Sequence, residues 1–321
     1  MLRVAVLGLG RIGASNVGLA PGIHVNHVGA ILDTPGLQLM VALDPDTQAR
    51  SLAQSIWGPR IPEPLADLEG EIPQVDVVTI CGGTAARRAQ FGDALRLRPR
   101  LIICEKPLAE NAETAAEIIR VAKDHGIAIL VNFNRRFDPP TLAFGRQMTT
   151  PPVSIHARYG KGMLNQGSHL VDLLTWWFGP FLHVGALNDP GPEPDPVISF
   201  HGRLEAGPSV LVEGIRGAIY EVLDVEFSFP DRMLQYAEGG SVRRVLEPRP
   251  SGVYRGLSFL GVTRTDVGPI SGFAELYAAV RDHLTRGSAL RACFAEEALQ
   301  GQKVIDAIFL SANNGGQRVN F

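Results

Sequence analysis

The run Gly8-Leu9-Gly10-Arg11-Ile12-Gly13 constrains the fold of this chain more than any other stretch. It follows 2-LRVAVLG-8, an apolar run of strand length, and it precedes a region patterned as helix, which is the context that gives GxGxxG its meaning. Gly8 permits the tight turn, Gly10 lets the backbone approach a pyrophosphate, and Gly13 allows close helix packing, with Arg11 and Ile12 completing the loop. A second strand, 38-QLMVALD-44, ends in Asp44. A carboxylate there hydrogen-bonds both hydroxyls of an adenine ribose and repels a 2′-phosphate, which favours NAD over NADP. Asp44 lies 31 residues past Gly13, whereas the fingerprint expects about 20. The segment 15-SNVGLAPGIHV-25 therefore reads as an inserted loop before a helix over about 26–34.

Beyond this loop, short apolar runs alternate with helical patterns, as in βαβ units of a parallel sheet. Strands are expected at 2–8, 38–44, 75–81, 101–104 and 127–133, and the clearest helix runs from about Glu110 to His125, stopped by Gly126. After 135 the texture changes. A Pro-rich connection, 137-FDPPTLAFGRQMTTPP-152, leads to strands at 153–159, 197–204, 209–214, 220–229, 233–237 and 241–246, separated by turns. Near-alternation over 220–229 predicts one covered and one open face. Helices at about Phe273–Thr285 and Ala295–Ala312 close the chain, and 188-NDPGPEPDP-196 and 247-EPRPSG-252 read as surface loops. The expectation is an α/β protein: a doubly wound parallel (Rossmann) domain over 1–134, then an α/β domain over 135–321 with a large open, mostly antiparallel sheet for substrate binding and oligomerisation.

A chain of 321 residues is long for one core and agrees with two domains. A net charge of −3, without clustered Lys and Arg, argues against nucleic acid as a partner. Cys81, Cys104 and Cys293 form no CxxC pair and no even set, which fits a reducing cytoplasm. The sequence offers no signal-peptide pattern and no apolar run of membrane-spanning length, so a soluble cytoplasmic protein is expected. His24 and His27 lie three apart without Cys or carboxylate partners in the pattern, so no metal site is expected.

Ligands of a doubly wound sheet sit outside the carboxyl ends of its strands. Gly8–Gly13, Asp44, Cys81 and Gly82, and Glu105, Lys106 and Pro107 all fall on that rim, so an ammonium on Lys106 can point at whatever a nicotinamide faces. A second constellation is 163-MLNQGSHLVDLLTWWFG-179, a helix from Ser168 that is apolar almost all round and hence buried. His169 and Asp172 are three apart, so the carboxylate can fix the imidazole tautomer, and Asn165 lies four residues before His169.

These pieces resemble the Gfo/Idh/MocA oxidoreductases. The resemblance rests on 8-GLGRIG-13, 104-CEKPLA-109, 131-VNFNRRFDP-139 and 164-LNQGSHLVDLL-174, with a closing 304-VIDAIFLSA-312. It implies a Rossmann domain followed by an open-sheet domain that often forms dimers or tetramers. It also implies an acid/base His169, a catalytic Lys106 and a cis Lys106–Pro107 bond. Two positions depart from the pattern: many members carry Asp where this chain has Asn165, and 81-CGGTAARRA-89 replaces a T-P-x-x-x-H turn.

The activity so implied is hydride transfer between nicotinamide and a carbinol carbon of a sugar, cyclitol or sugar nucleotide. His169 removes the hydroxyl proton, Lys106 stabilises the alkoxide, Asn165 positions the substrate and Asp172 orients His169. Arg135 or Arg136, Tyr159 and Lys161 are the candidates for gripping a polyol or phosphate. The rival readings are an NAD-dependent glycosidase acting by transient oxidation and a nucleotide-binding regulator without catalysis. A homodimer or homotetramer through the C-terminal sheet is expected, since an exposed apolar face is unusual on a monomer.

Overall fold

The structure is a computed structural model that describes every residue except 19–21 and 71. The chain divides into two compact units, one of Met1–Asp138 with Ser271–Leu299, the other of Pro139–Ile270 with Gln300–Phe321.

In the first unit, strands β1 (Leu2–Leu7), β2 (Leu37–Leu43), β3 (Val77–Ile80), β4 (Leu101–Glu105) and β5 (Ala128–Asn132) are all parallel to one another. Every residue of β3 and β4 is buried, as strands covered on both faces must be. Helices α1 (His27–Asp33), α2 (Thr47–Trp57), α3 (Arg87–Arg96) and α4 (Ala112–Asp124) connect them. Three of these begin on side-chain caps: Asn26 accepts from Gly29 N–H, Asp46 from Gln48 N–H and Asn111 from Thr114 N–H. The strand order β5-β4-β3-β1-β2 places the switch point between β1 and β3. Beyond β2 the sheet continues only as a single parallel bridge, Leu43 to Leu65.

The long spacing from Gly13 to Asp44 has a local cause. The glycine loop closes in one wide turn, Arg11–Ser15, in which the N–H groups of Ala14 and Ser15 both donate to Gly10 O. The chain then leaves the helical path and α1 starts only at His27, with Asn26 Nδ2 donating to Asn16 O at 2.6 Å across the excursion. The expected inserted loop at 15–25 lies partly outside the described residues.

In the second unit, β6 (Ser154–Tyr159), β7 (Phe181–Ala186), β8 (Phe200–Leu204), β9 (Ser209–Gly214), β10 (Leu223–Ser228), β11 (Met233–Ala237), β12 (Val242–Pro250) and β13 (Ser258–Val267) build a mostly antiparallel sheet, with β6 and β9 parallel. Helices α5 (Pro139–Gly145) and α6 (Ser168–Phe178) lie in this unit. Alternate residues of β6, β9 and β10 are buried. They share one core with Phe144 of α5, with Leu170, Leu174 and Phe178 of α6, and with Val304, Ile305 and Ile308 near the C-terminus.

Three expectations require correction. The segment 135–321 is not one unit: α7 (Phe273–Arg286) and β14 (Cys293–Phe294) return to the first unit. There Phe273, Leu276, Tyr277 and Val280 join its core, and β14 pairs antiparallel with β5. The closing helix α8 (Ala295–Asn313) then leads from the first unit's residues into the second's, where β15 (Val319–Asn320) pairs with β7. Second, 247–252 is not simply a loop, because β12 runs to Pro250. From Glu247 on, β12 pairs only with β13, so Pro248 and Pro250 can turn their missing donors to the free edge. Third, the open sheet face is mostly polar at its centre, with exposed His156, Arg158 and Glu213 and an Arg158–Asp224 ion pair at 3.0 Å around a single exposed Leu211. Exposed apolar side chains gather instead in the β12–β13 hairpin, at Tyr254, Phe259, Leu260 and Val267. Strand β13 has no covered face to demand an apolar stripe, which is why it left no alternation in the sequence. Among the described residues, no helix is long and apolar enough to cross a membrane.

Candidate active site

The glycine loop, β2, β3 and β4 bring the first group of expected residues together at their carboxyl ends. Gly8 has φ +101°, and a Cβ there would lie 2.6 Å from Gly82 N and 2.9 Å from Cys81 C. A Cβ on Gly13 would lie 2.0 Å from Gly8 O, so Gly13 is required by the turn itself. Gly10 differs. It is exposed, and a Cβ there would meet nothing within 4 Å, which leaves its backbone facing open space beside Arg11 and Ile12.

Asp44 is pinned against this loop. Its Oδ2 accepts the Leu9 N–H at 2.7 Å and its Oδ1 accepts the Asp46 N–H at 2.9 Å. Arg50 Nη1 donates to the Asp44 carbonyl at 2.7 Å, fixing the backbone as well. The carboxylate thus serves the turn and stands next to the glycine loop at once. A glycine turn open at its second Gly, with an anchored carboxylate on the adjacent strand, has the parts a dinucleotide needs.

Cys81 is buried, and burial, followed by the Glu105 charge, pushes its thiol well above the usual range. It is a packing residue at this rim, while Gly82 gives its backbone to the close approach with Gly8. Arg87, which the sequence reading passed over, is buried on the first turn of α3 and donates to Ile80 O at 3.3 Å and Pro107 O at 3.4 Å. It ties the ends of β3 and β4 together.

Lys106 is half-buried just past β4, and the Lys106–Pro107 peptide is cis. Glu105 before it points inward: its Oε1 accepts from Asn132 Nδ2 at 2.6 Å and from His27 Nε2 at 2.9 Å. Its carboxylate is therefore committed to the protein interior and is not a cofactor contact. Burial alone would raise the Glu105 carboxyl, but the His27 hydrogen bond and charge, the Asn132 amide and the Lys106 ammonium together hold it below the usual range. His27 Nδ1 lies 2.8 Å from Tyr277 OH, which lies 2.9 Å from Thr79 Oγ1. Both His27 ring nitrogens are thus engaged, while His24 Nε2 sits 3.6 Å from Asp33 Oδ2. His27 was visible in the sequence only as half of an unconvincing metal pair. Its true partners come from β4 and α7. Arg135 is half-buried, whereas Arg136 is buried and pairs with Glu297 at 2.8 Å, a structural role rather than a ligand grip.

The second group lies in the other unit. His169 is half-buried on the first turn of α6, Asp172 is buried one turn later, and Asn165 is exposed on the wide turn Met163–Gly167 that precedes the helix. Asp195, unmarked in the sequence, holds that turn: its carboxylate accepts the N–H groups of Leu164 at 2.7 Å and Asn165 at 3.0 Å. Lys161 is exposed with φ +59°. Tyr159 requires correction as a substrate contact. It occupies an inward position of β6, is fully buried, and its hydroxyl donates to Ile198 O at 2.9 Å and accepts Ile198 N–H at 2.8 Å. Burial pushes its phenol far above the usual range.

The parallel sheet with its glycine turn and anchored Asp44 defines the first unit as a dinucleotide-binding α/β fold. Residues 2–133 match the model of the Gfo/Idh/MocA family, described as an oxidoreductase family with an NAD-binding Rossmann fold. The chain is 31% identical over 141 residues to an inositol 2-dehydrogenase of Mycolicibacterium smegmatis, a match covering 43% of this chain and 37% of the relative. It is 25% identical over 248 residues to one of Acidothermus cellulolyticus, covering 71% of this chain and 66% of the relative. The matched segments thus span less than two thirds of these relatives' own lengths. The fold extends over the whole chain in the WlbA dehydrogenase of Bordetella pertussis, solved with NADH and UDP-GlcNAcA: TM-score 0.74, 17% identity, covering 100% of this chain and 98% of that one.

Proposed function

We propose that this protein is an NAD-dependent dehydrogenase that moves a hydride between nicotinamide and a carbinol carbon of a cyclitol, sugar or sugar nucleotide. The observation that carries the reading is the Asp44 carboxylate held 2.7 Å from Leu9 N–H beside a glycine turn whose Gly10 faces open space. The backbone of Gly10, Arg11 and Ile12 would receive the pyrophosphate and Asp44 the adenine ribose, with Gly82 at the same rim. Bound NAD supplies the hydride acceptor. Lys106 carries the positive charge that stabilises an alkoxide, and His169 takes up the hydroxyl proton near neutral pH. Asp172 holds the imidazole orientation, Asn165 positions the substrate as a neutral amide, and Arg135 and Lys161 are the cations proposed to grip its polar groups. The relatives named inositol 2-dehydrogenase put cyclitols first in the substrate panel.

Self-association through the second unit's sheet, as a homodimer or homotetramer, is part of the same proposal, with the apolar β12–β13 hairpin as the favoured contact. A cytoplasmic location is proposed from the three free, buried cysteines.

The test measures NAD binding to the purified protein and then NADH absorbance with inositols, sugars and sugar nucleotides. Lys106→Met should lower turnover by roughly 10²–10⁴-fold while NAD still binds. Binding of NAD without turnover on any substrate, unchanged in Lys106→Met, would favour a nucleotide-binding regulator. Failure to bind NAD or NADP at all would remove the dehydrogenase reading.

A further inference from the structure

Five polar side chains from five separate elements meet in one line inside the first unit, and none of them is an ordinary core residue. Thr79 of β3, Tyr277 of α7, His27 of α1, Glu105 of β4 and Asn132 of β5 are all buried, at 8% exposure or less. The line runs Thr79 Oγ1 to Tyr277 OH at 2.9 Å, Tyr277 OH to His27 Nδ1 at 2.8 Å, His27 Nε2 to Glu105 Oε1 at 2.9 Å, and Asn132 Nδ2 to the same Oε1 at 2.6 Å. The His27 ring is further boxed edge-on by Phe273, with ring centres 5.0 Å apart. A buried polar chain of this length is costly to build unless each member is satisfied.

The directions of the hydrogen bonds follow from chemistry. An ionised Glu105 only accepts, so His27 donates through Nε2. With a neutral imidazole, Tyr277 donates to Nδ1 and accepts from Thr79; with a protonated imidazole, both of these bonds reverse by rotation of two hydroxyls. The bonds of His27 to Tyr277 and Glu105 can be made in either state, so the Glu105 carboxylate keeps its donor in both, while Asn132 Oδ1 is buried without a hydrogen-bond partner. Two members end strands at the rim: Asn132 closes β5, and Glu105 closes β4 and is followed directly by Lys106. The other groups around the carboxylate are Cys81 and Cys104, both buried, and the buried Arg87, which grips Pro107 O on the far side of Lys106.

We propose that Thr79, Tyr277, His27 and Asn132 are positioning residues that fix the Glu105 carboxylate behind the rim, and that this buried negative charge, on the residue next to Lys106, holds the Lys106 amine in its charged form. This rests on the reading of Lys106 as the group that stabilises the alkoxide. It also explains why the segment carrying α7 returns to the first unit, since Tyr277 is the link that engages His27 Nδ1.

The experiment reads Lys106 directly. The full-length protein is acetylated with limiting acetic anhydride from about pH 7 to about pH 11, a range bracketing an ordinary lysine, and the Lys106 peptide is quantified by mass spectrometry. Glu105→Gln keeps the shape and both hydrogen bonds but removes the charge, and should move the Lys106 midpoint down by about one unit, as loss of an adjacent opposite charge does. His27→Gln keeps a donor towards Glu105 and should track the wild type, whereas His27→Leu should follow Glu105→Gln. If His27→Leu does not fold, Glu105→Gln still decides whether the carboxylate sets the Lys106 charge. A Lys106 curve in Glu105→Gln that overlays the wild type would overturn the proposal. NAD binding is measured in parallel: a wild type that does not bind NAD would sink the dehydrogenase reading, while the Lys106 titration would still decide the network.

Discussion

Gly10 and Gly13 belong to the same motif, yet the structure predicts opposite consequences for giving each a methyl group. At Gly10 the backbone has φ −63° and ψ −162°, which alanine adopts without strain, and the added Cβ meets nothing within 4 Å. Gly10→Ala should therefore leave stability unchanged or raise it by about 0.4–1 kcal/mol, because the unfolded chain loses freedom. At Gly13 the Cβ would lie 2.0 Å from Gly8 O, a backbone atom that cannot move aside without opening the turn. Overpacking of this kind costs about 1–3 kcal/mol or more.

The binding consequences differ in the same pair. If the pyrophosphate lies over Gly10, the methyl group occupies its place and about 1–3 kcal/mol of binding is lost, roughly a five- to hundred-fold rise in Kd for NAD. Urea titration followed by isothermal titration calorimetry with NAD reads both quantities on one preparation. A Gly10→Ala protein that is stable and binds NAD like the wild type would refute the placement of the pyrophosphate. A Gly13→Ala protein as stable as the wild type would refute the turn geometry.

Asp44→Ser removes the carboxylate proposed to face the ribose and should weaken NAD by about tenfold or more while narrowing its advantage over NADP; equal weakening for both cofactors, measured by calorimetry, would count against a ribose contact. Tyr159→Phe should cost about 1–3 kcal/mol in urea unfolding, because the buried Ile198 N–H loses its acceptor, and should leave the KM for any substrate unchanged. Burial pushes the Cys104 thiol up to about 11 from an ordinary 9.0. A raised value means the native state holds its proton longer than the unfolded one, so this contribution is intact below about pH 9 and is lost as pH rises through about 11. The loss should approach 2–3 kcal/mol, with the raised Cys81 and Tyr277 acting in the same direction, and urea midpoints at about pH 8 and pH 10.5 would show it.

What the sequence disclosed and what it hid divide along a physical line. The glycine loop, Asp44, the strands of the parallel sheet and α6 were legible because their signals are local: a fixed spacing, an apolar run, a cap or a terminating glycine. Strand β13 was not, since a strand exposed on both faces imposes no alternation on its residues. Tyr159 misled for the reverse reason: a tyrosine near a candidate site looks like a ligand contact until the alternation along β6 turns it inward onto Ile198. The contacts behind Glu105 were the least legible of all. His27 and Tyr277 are 250 positions apart, and His27 and Glu105 are 78 apart, so no window of sequence contains a pair. Yet each member violates a local expectation in its own segment: a histidine buried on an apolar helix face, a carboxylate ending a core strand, a tyrosine whose hydroxyl lies fully inside. A buried polar group needs a partner whatever its position in the chain, and several such groups in one domain point to one another before any coordinates do. The same argument covers Arg87, buried on α3 with carbonyl acceptors at the ends of two strands. Burying polar groups without partners would be ruinous, so a core that contains a carboxylate, an imidazole, a phenol and a guanidinium must organise them. In this protein that organisation ends on Glu105, the residue immediately before Lys106.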